Sequence, residues 1–282
     1  MTILVSGATG AVGRALVDAL VERGAPVRAM SRRPAAAAEL PAGVDVVAGD
    51  MGDASLLSDS LFDGVQSAFV FPADGGVDPF VNAAVRAGVR RFVVLSSLAV
   101  AAEFPRDVGS VSFVHHLAVE QAVTSRTDEW TLLRPGTFSN NLLAWASAVK
   151  AGVPIRAPYL HSAQAPIHEA DIADVAALAL TETGHVGRIH DITGPQALTK
   201  VEQVAAVAAG IGRELTVTEI SAEDFRGQMS AYMPEPVVTM LLDYWSDTVA
   251  TPDRVRDVKH LTGRPGRTLE QWATDHRSAF IA

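Results

Sequence analysis

Cysteine is absent from the 282-residue chain. Its absence excludes a disulfide scaffold, a thiolate nucleophile and any metal or iron–sulfur site that depends on cysteine ligands. Hydrophobic residues make up 48% of the chain and charged residues 20%, a balance that is typical of folded globular proteins and argues against extensive disorder. The length suits one large domain or two smaller ones, with enough chain to bury a substantial core.

The sequence also lacks a cluster of basic residues and a long apolar run. Its net charge is −9, which argues against nucleic acid as a partner. The longest apolar run, around Phe92–Val100, is interrupted by Ser96 and Ser97, and it falls short of the roughly 18 residues that a membrane-spanning helix needs. No secretory signal pattern precedes the first β-rich run. We therefore expect a cytoplasmic protein that does not bind membranes.

Short β-rich runs alternate with helical patterns through the first half of the chain. The first of six predicted strands covers Thr2–Ser6 and the sixth covers Trp130–Arg134. Short apolar runs separated by helices are typical of a parallel sheet that is covered on both faces. Because the crossovers between such strands are right-handed, the pattern predicts a doubly wound α/β sheet.

A glycine-rich segment, Gly7–Gly13, lies between the first predicted strand and the first predicted helix. In such a loop Gly7 permits a tight turn, Gly10 lets the backbone approach a pyrophosphate, and Gly13 lets helix and strand pack closely. The N-terminus of the following helix offers free N–H groups and the positive end of its dipole. The segment therefore predicts a dinucleotide site, whose contacts are Gly7, Thr9, Gly10, Ala11, Val12 and Gly13.

The end of the second predicted strand carries no carboxylate. An NAD binder usually places Asp or Glu about 20 residues after the loop, where it holds the ribose 2′-hydroxyl. Here the position is occupied by Ser31, Arg32 and Arg33, whose donors suit a 2′-phosphate. A solvated basic turn is the alternative. The charges favour NADP(H) over NAD(H).

Residues after the third and fourth predicted strands complete the expected cofactor site. Asp50 is placed to accept a hydrogen bond from the adenine amino group, with Met51 beside it, although helix capping is the alternative. For Asp53 we prefer the capping interpretation. Phe71 and Pro72 follow the fourth strand, where they can supply shape beside the middle of the cofactor.

Five segments in a fixed order resemble the NmrA-like branch of the atypical short-chain dehydrogenases/reductases. They are the loop 7–13, the turn 31–33, and the segments 93–97, 132–138 and 167–173, so that the resemblance spans about residues 1–195. It implies a Rossmann fold and NAD(P)H binding. The branch includes NADPH-dependent quinone reductases, triphenylmethane-dye reductases and redox-sensing regulators without turnover. The resemblance also places against the cofactor Ser96, Pro135, Gly136 and Phe138.

The Tyr-x-x-x-Lys pair that ordinary members of this superfamily use is missing. The chain has three tyrosines, and none is followed four residues later by lysine; they are Tyr159, Tyr232 and Tyr244. When the helix is aligned by Glu120, Ser112 stands in the place of the tyrosine and His116 in the place of the lysine. Hydride transfer to a strongly electrophilic acceptor needs less help from a positioned acid, which is why the branch tolerates this loss.

The catalytic candidates are Ser97 and His116. Ser97 ends the fifth predicted strand, at the sheet edge where ligands bind in such folds. His116 can donate to the cofactor's ribose or, when protonated, supply a positive field; the alternative is a pair with Glu120 one turn further on. A zinc site formed with His115 is not expected, because adjacent histidines on a helix point about 100° apart.

The chain is expected to divide into a Rossmann domain at 1–155 and a smaller C-terminal α/β substrate lobe at 156–282, partly interleaved with the first. We expect an NADPH-dependent oxidoreductase that reduces a flat conjugated acceptor such as a quinone, enone, imine or polyketide-like intermediate. A non-catalytic NADP(H) sensor that binds a protein partner is the alternative. We expect a monomer or homodimer without a metal, and substrate contacts at Phe138, Asn141, Tyr159 and Tyr232.

Overall fold

The computed structural model describes residues 2–34, 40–73 and 75–281. The chain forms two compact units that are interleaved along the sequence. Unit 1 comprises Met1–Ala101, Ser112–Pro135 and Glu169–Asp191, and unit 2 comprises Ala102–Val111, Gly136–His168 and Ile192–Ala282. The expected division at residue 155 therefore differs from the observed one, because the chain returns to unit 1 between Glu169 and Asp191.

Strands and helices are numbered in chain order. The strands are β1 (Thr2–Val5), β2 (Val27–Ser31), β3 (Asp45–Ala48), β4 (Val65–Val70), β5 (Arg91–Leu95), β6 (Trp130–Pro135), β7 (Ile155–Ala157), β8 (Ala163–Gln164), β9 (Arg188–Ile192), β10 (Leu198–Thr199) and β11 (Val217–Glu219). The helices are α1 (Ala11–Glu22), α2 (Asp78–Arg86), α3 (Val111–Thr124), α4 (Ala146–Ala151), α5 (Glu169–Thr181), α6 (Lys200–Ile211), α7 (Ala222–Met229), α8 (Glu235–Ala250), α9 (Lys259–Thr262), α10 (Leu269–Asp275) and α11 (Arg277–Phe280).

Unit 1 is built on a seven-stranded sheet with the order β3-β2-β1-β4-β5-β6-β9. The pairs β1–β2, β1–β4, β2–β3, β4–β5 and β5–β6 are parallel. The strand order reverses between β1 and β4, and in such sheets ligands bind at the carboxyl ends of the strands beside that reversal. The predicted doubly wound Rossmann sheet is confirmed.

The segment after Pro135 contributes two elements to unit 1 that the sequence analysis assigned to the looser second half. Helix α5 packs against α1, and strand β9 is the edge strand beside β6. Several buried side chains of α5 are small, which allows close packing; Ala173, Ala176 and Ala177 are fully buried. Packing of this helix, rather than any break in composition, therefore sets the boundary between the units.

Unit 2 is a smaller assembly of helices with two short two-stranded sheets, β10–β8 and β11–β7. Its core is centred on Trp272, which is fully buried, together with residues of α6 and α10. The sequence from Thr199 to Glu202 predicts a capping box at the start of α6. The structure shows it, since the Thr199 hydroxyl accepts the Glu202 N–H and the Glu202 carboxylate accepts the Thr199 N–H. Among the described residues, none of the helices combines the length and apolarity needed to cross a membrane.

Two segments whose sequence pattern predicts a helix differ from that prediction, and one helix was not predicted. The segment 55–62 forms two separate 3₁₀ turns, Ala54–Leu56 and Asp59–Phe62, and the segment 269–280 is divided at His276 into α10 and α11. The longest helix, α8, was not predicted. Its Pro236 lies in the first turn, where proline is tolerated because that position has no intrahelical N–H bond to lose.

Candidate active site

The glycine loop has the geometry that its sequence predicts. Gly7 has a φ of +62°, in the left-handed region that favours glycine. A Cβ on Gly13 would lie 2.1 Å from the Gly7 carbonyl oxygen, so that only glycine allows helix α1 to start this close to the end of β1. A Cβ on Gly7 would in turn lie 2.9 Å from the ring of Phe71. The loop is therefore tightly packed on its inner side.

The outer side of the loop presents backbone donors at the N-terminus of α1. Gly10 is the N-cap of this helix, has no side chain to cap it, and is exposed, as is Ala11. Among the described residues, no acceptor bonds the N–H groups of Ala11 and Val12, and the first turn contains no acidic side chain. These donors, together with the positive end of the helix dipole, form a site for a phosphate group.

The end of β2 lies beside this loop. The Ser31 hydroxyl is buried, lies 3.4 Å from the Thr9 hydroxyl and accepts the Arg33 N–H at 3.1 Å. These bonds fix the turn, whereas the side chains of Arg32 and Arg33 are exposed to solvent. Ser31 therefore shapes the turn, and the two guanidinium groups are accessible to an anion.

The residues predicted to contact the adenine and to flank the middle of the cofactor follow β3 and β4, respectively. Asp50 accepts the Gly52 N–H at 3.0 Å and is partly exposed, while Met51 is buried. Phe71 and Pro72 are partly exposed. The predicted cap at Asp53 is confirmed, because its carboxylate accepts the Ser55 N–H at 2.9 Å.

Behind this edge a buried ion pair joins α3 to β6. Arg134 donates from Nε to Glu120 Oε1 at 2.8 Å and from Nη2 to Oε2 at 2.7 Å. The Ser96 hydroxyl donates to Glu120 Oε1 at 2.5 Å and is itself buried. The Ser96 side chain is therefore committed to this pair, which leaves its backbone as the part that can reach a cofactor. The alternative pairing of His116 with Glu120 is wrong, because Arg134 and Ser96 occupy that carboxylate.

The two catalytic candidates lie together with Ser112. The Ser97 hydroxyl oxygen accepts a hydrogen bond from the Ser112 hydroxyl at 3.1 Å and from the Ala99 N–H at 3.3 Å. In both of these bonds the Ser97 oxygen is the acceptor. The hydroxyl proton of Ser97 is therefore available for a hydrogen bond to a ligand. The alignment by Glu120 thus located a residue, Ser112, that contacts the candidate serine directly.

His116 is held by the first turn of α3. Its Nδ1 lies 2.8 Å from the Ser112 carbonyl oxygen, which can only accept, so that Nδ1 carries the proton. Burial lowers the pKa of His116 below its usual value, although the bond to the Ser112 carbonyl acts in the opposite direction. The imidazole is therefore neutral at pH 7, which argues against the positive field that the sequence suggested. Its Nε2 has no partner among the described residues and is an acceptor.

The predicted residues that follow β6 are scattered within unit 2, apart from Pro135, which is the buried last residue of β6 in unit 1. Gly136 donates its N–H to the Ile192 carbonyl, and Phe138 forms a bridge with Ile167. Asn141 is exposed and Tyr232 is 81% exposed. Tyr159 adopts a left-handed conformation with a φ of +53°.

Comparison with known proteins identifies the family. A family model described as NAD(P)H-binding matches residues 7–183, which is well over half of the chain. The chain belongs to this NAD(P)H-binding family. The match covers the glycine loop, the basic turn, the Ser97–His116 cluster and helix α5.

Relatives of similar length are named as reductases. The chain is 38% identical, over 99% of both proteins, to a (4-alkanoyl-5-oxo-2,5-dihydrofuran-3-yl)methyl phosphate reductase from Streptomyces griseus. It is 33% identical to an NAD(P)H azoreductase from Xenophilus azovorans, again over 99% of both chains. It is 28% identical in sequence to an NADPH-dependent quinone oxidoreductase from Escherichia coli. The crystal structure of that protein in complex with NADPH matches this one with a TM-score of 0.79, over 97% of this chain and 99% of that one. The chain is accordingly an NAD(P)H-dependent oxidoreductase, as predicted.

The residues present in this NAD(P)H-binding protein fit the cofactor. The unpartnered amides of Ala11 and Val12 and the exposed, side-chain-free Gly10 suit a pyrophosphate, which needs N–H donors and close backbone approach. The sheet edge beside the reversal between β1 and β4 is where this fold binds its dinucleotide. The individual contacts assigned to Asp50, Met51, Phe71 and Pro72 stay predictions.

Two polar groups in unit 2 were not assigned a role by the sequence analysis. The Tyr244 hydroxyl donates to Asp253 Oδ2 at 2.5 Å and lies 3.0 Å from the Thr137 hydroxyl; desolvation raises its pKa well above the usual value. Lys200 is only 4% exposed. A sequence signal for Lys200 did exist, because it occupies the apolar stripe of α6 that continues with Val204, Val207 and Ile211.

Proposed function

We propose that this oxidoreductase uses NADPH to reduce a carbon–carbon double bond conjugated to a carbonyl group, of the kind found in a butenolide or an enone. The Streptomyces griseus relative is named for an unsaturated lactone that carries an alkanoyl group and a phosphate ester. The identity of 38% extends over 99% of both chains, so it includes unit 2 as well as the cofactor-binding segments.

The acceptors named for the relatives have one property in common. A butenolide, an azo compound and a quinone are electron-poor conjugated systems. Bound NADPH supplies the hydride. A conjugated carbonyl spreads the resulting negative charge onto its oxygen, so a single positioned hydrogen-bond donor replaces the tyrosine that reduction of an isolated ketone requires. This accounts for the missing Tyr-x-x-x-Lys pair.

The available proton of Ser97 is the observation that carries the proposal. The Ser97 oxygen accepts from Ala99 and Ser112, which leaves its own O–H without an acceptor among the described residues. We assign to this O–H a hydrogen bond to the substrate carbonyl oxygen, where negative charge develops as the hydride arrives at the β-carbon. A proton from solvent then reaches the α-carbon, which completes the two-electron reduction. One such donor contributes about 100-fold in rate.

Ser112 and His116 hold this arrangement. Ser112 donates to Ser97, and His116 Nδ1 donates to the Ser112 carbonyl at 2.8 Å, which fixes the first turn of α3. The neutral imidazole leaves Nε2 to accept a hydroxyl of the cofactor's ribose. His116 is thus proposed as a cofactor-positioning residue rather than as an acid.

The preference for NADPH is proposed from the basic turn. Arg32 and Arg33 are exposed at the end of β2, and Ser31 occupies the place where an NAD-specific protein carries a carboxylate. A guanidinium group can donate two parallel hydrogen bonds to the oxygens of one phosphate, which suits the 2′-phosphate. The substrate contacts at Phe138, Asn141, Tyr159 and Tyr232 are kept as proposals for unit 2.

The test is the loss of NADPH absorbance under anaerobic conditions with an alkanoyl butenolide phosphate, a cyclic enone, a naphthoquinone and an azo dye. NADH is run in parallel. Deuterium at C4 of the cofactor is expected at the β-carbon of the reduced butenolide. S97A is expected to lower kcat about 100-fold, whereas S125A, at the exposed end of α3, is the matched control. Absence of turnover with every acceptor, in a protein that binds NADPH, would refute the proposal.

A further inference from the structure

Lys200 is buried without a partner. It is the first residue of α6 and is 4% exposed, and its Nζ makes no hydrogen bond or ion pair within the part of the chain that the structure describes. The Nζ lies 3.9 Å from the centre of the Trp245 ring. A buried ammonium group is costly unless it is paired, so an unpaired one at this position requires an explanation.

Other polar side chains of unit 2 bond one another. In α6, Gln203 donates to Gln164 Oε1 at 3.1 Å. In α8, Thr248 accepts from Gln164 at 2.9 Å and donates to the Tyr244 carbonyl. Within the described part of the chain, none of these groups bonds the Lys200 Nζ.

Glu219 is the charged residue that acts on the pKa of Lys200. Its field raises the pKa of Lys200, but burial acts more strongly and lowers that pKa from 10.5 to about 7. Glu219 is exposed, and its carboxylate accepts the Leu160 N–H at 3.3 Å rather than a bond from Lys200. The amine is therefore poised to take up a proton when an anion arrives, because a nearby negative charge favours the charged form.

The Trp245 ring packs over Lys200. Trp245 is partly exposed, and its other contact is an edge-to-face packing with Phe225, which is also partly exposed. The segment that follows β7 contains Tyr159 in a left-handed conformation, which for an aromatic residue costs on the order of 1 kcal/mol and is found most often near ligand sites. The strained residue directly precedes Leu160, which bonds Glu219.

We propose that Lys200 and Trp245 form a subsite in unit 2 that binds the phosphate monoester of the substrate. An ammonium group can only donate, so its ligand must be an acceptor, and a phosphate oxygen supplies both acceptor and charge. This inference rests on the proposed function for its substrate, but the anion site itself does not.

The first experiment compares an alkanoyl butenolide phosphate with the corresponding free alcohol. Wild-type protein is expected to prefer the phosphate by about 30-fold in kcat/KM, as one charge-assisted bond would give. K200M is expected to lose most of this preference through KM while reducing the alcohol as before, and K200R is expected to recover part of it. K150M, which changes an exposed lysine of α4, is the control. An unchanged preference in K200M would overturn the proposal.

The second experiment does not need turnover. The chain has three lysines, Lys150, Lys200 and Lys259, so ¹³Cε-lysine NMR gives one assignable signal for each. Methyl phosphate is expected to shift the Lys200 signal and to raise its pKa, without comparable changes in the other two. A response to methyl phosphate at lower concentration than to inorganic phosphate identifies the ester as the ligand, and an equal response identifies free phosphate.

The two experiments separate the two proposals. If no acceptor is reduced but methyl phosphate shifts Lys200 alone, the proposed function fails and the anion site stands. If the butenolide is reduced but neither phosphate moves the Lys200 signal, the anion site is refuted. A purely structural lysine would instead lower stability when replaced, whereas K200M is expected to be at least as stable as wild type at pH 7, because it removes an unpaired buried charge.

Discussion

Replacement of Lys200 by methionine is expected to change how the stability of the protein depends on pH. In the folded protein the pKa of Lys200 is lowered from 10.5 to about 7. Between these values the unfolded chain binds more protons at this residue than the folded protein does. The stability of the wild type therefore rises with pH over this window. The destabilisation that comes from burying the charged amine is lost completely only above pH 10.5.

The size of the effect follows from the two pKa values. For a single group with pKa values of 10.5 unfolded and about 7 folded, the destabilisation is about 4 kcal/mol at pH 7 and about 1 kcal/mol at pH 9.5. The wild type is thus expected to gain about 3 kcal/mol relative to K200M between these two pH values. Other groups that titrate in this range are present in both proteins, so their contributions cancel in the comparison.

The assay is urea denaturation at pH 7 and pH 9.5, followed by tryptophan fluorescence and by circular dichroism. K200M is expected to be the more stable protein at pH 7 and to lose most of that advantage at pH 9.5. K150M should follow the wild type at both pH values, since Lys150 is exposed. Parallel pH dependence in wild type and K200M would show that the amine is solvated or paired in solution, and it would refute the reasoning.

Three further predictions concern unit 1. R32A should lower kcat/KM for NADPH about 10- to 100-fold and leave that for NADH unchanged, because it removes a charged pair with phosphate; R23A, at the other end of α1, is the control, and equal losses with both cofactors would contradict the assignment. G13A should weaken NADPH binding at least 10-fold in a titration, since its Cβ would lie 2.1 Å from the Gly7 carbonyl oxygen, whereas G227A, with open space around it, should have no effect. R134M should lower the free energy of unfolding by about 3–5 kcal/mol because it leaves the buried Glu120 unpaired; the double variant E120Q/R134M should recover part of this loss, and equal losses in both would argue against the ion pair as the cause.

The nucleotide-binding half of the fold could be predicted because its signals are local. The sequence pattern predicts strands at Val27–Ser31 and Arg188–Ile192, and these are the bounds of β2 and β9 in the structure. The roles of Gly7 and Gly13 follow from backbone sterics that any such turn must obey, and the structure shows both. A short motif of this kind fixes its own geometry, so no knowledge of distant residues is needed.

The placement of β9 and the existence of α8 could not be predicted in the same way. An edge strand pairs according to what the rest of the chain leaves open, which the residues of 188–192 do not encode. In α8 the two prolines Pro234 and Pro236 concealed the start of the helix. Both cases depend on packing partners that are far away in sequence.

The candidate site could also be predicted only in part from the sequence. Ser97 was found from its position at the end of a strand, and Ser112 from an alignment, but the direction of the hydrogen bonds between them required the structure. The sequence also could not show that the Glu120 carboxylate already accepts two partners, since Ser96 and Arg134 belong to other elements. The position of a polar residue at a strand end can therefore be predicted from the sequence, whereas the hydrogen-bond partner of its side chain cannot.

Lys200 and Ser97 depart from the usual pattern in opposite ways. Lys200 is a buried charge without an acceptor, and Ser97 is a hydroxyl whose oxygen already has two donors. Each arrangement becomes complete only when a ligand supplies what is missing, an anion for Lys200 and an acceptor oxygen for Ser97. Each group therefore gives its own test of the proposed substrate, a carbonyl acceptor for Ser97 and a phosphate ester for Lys200.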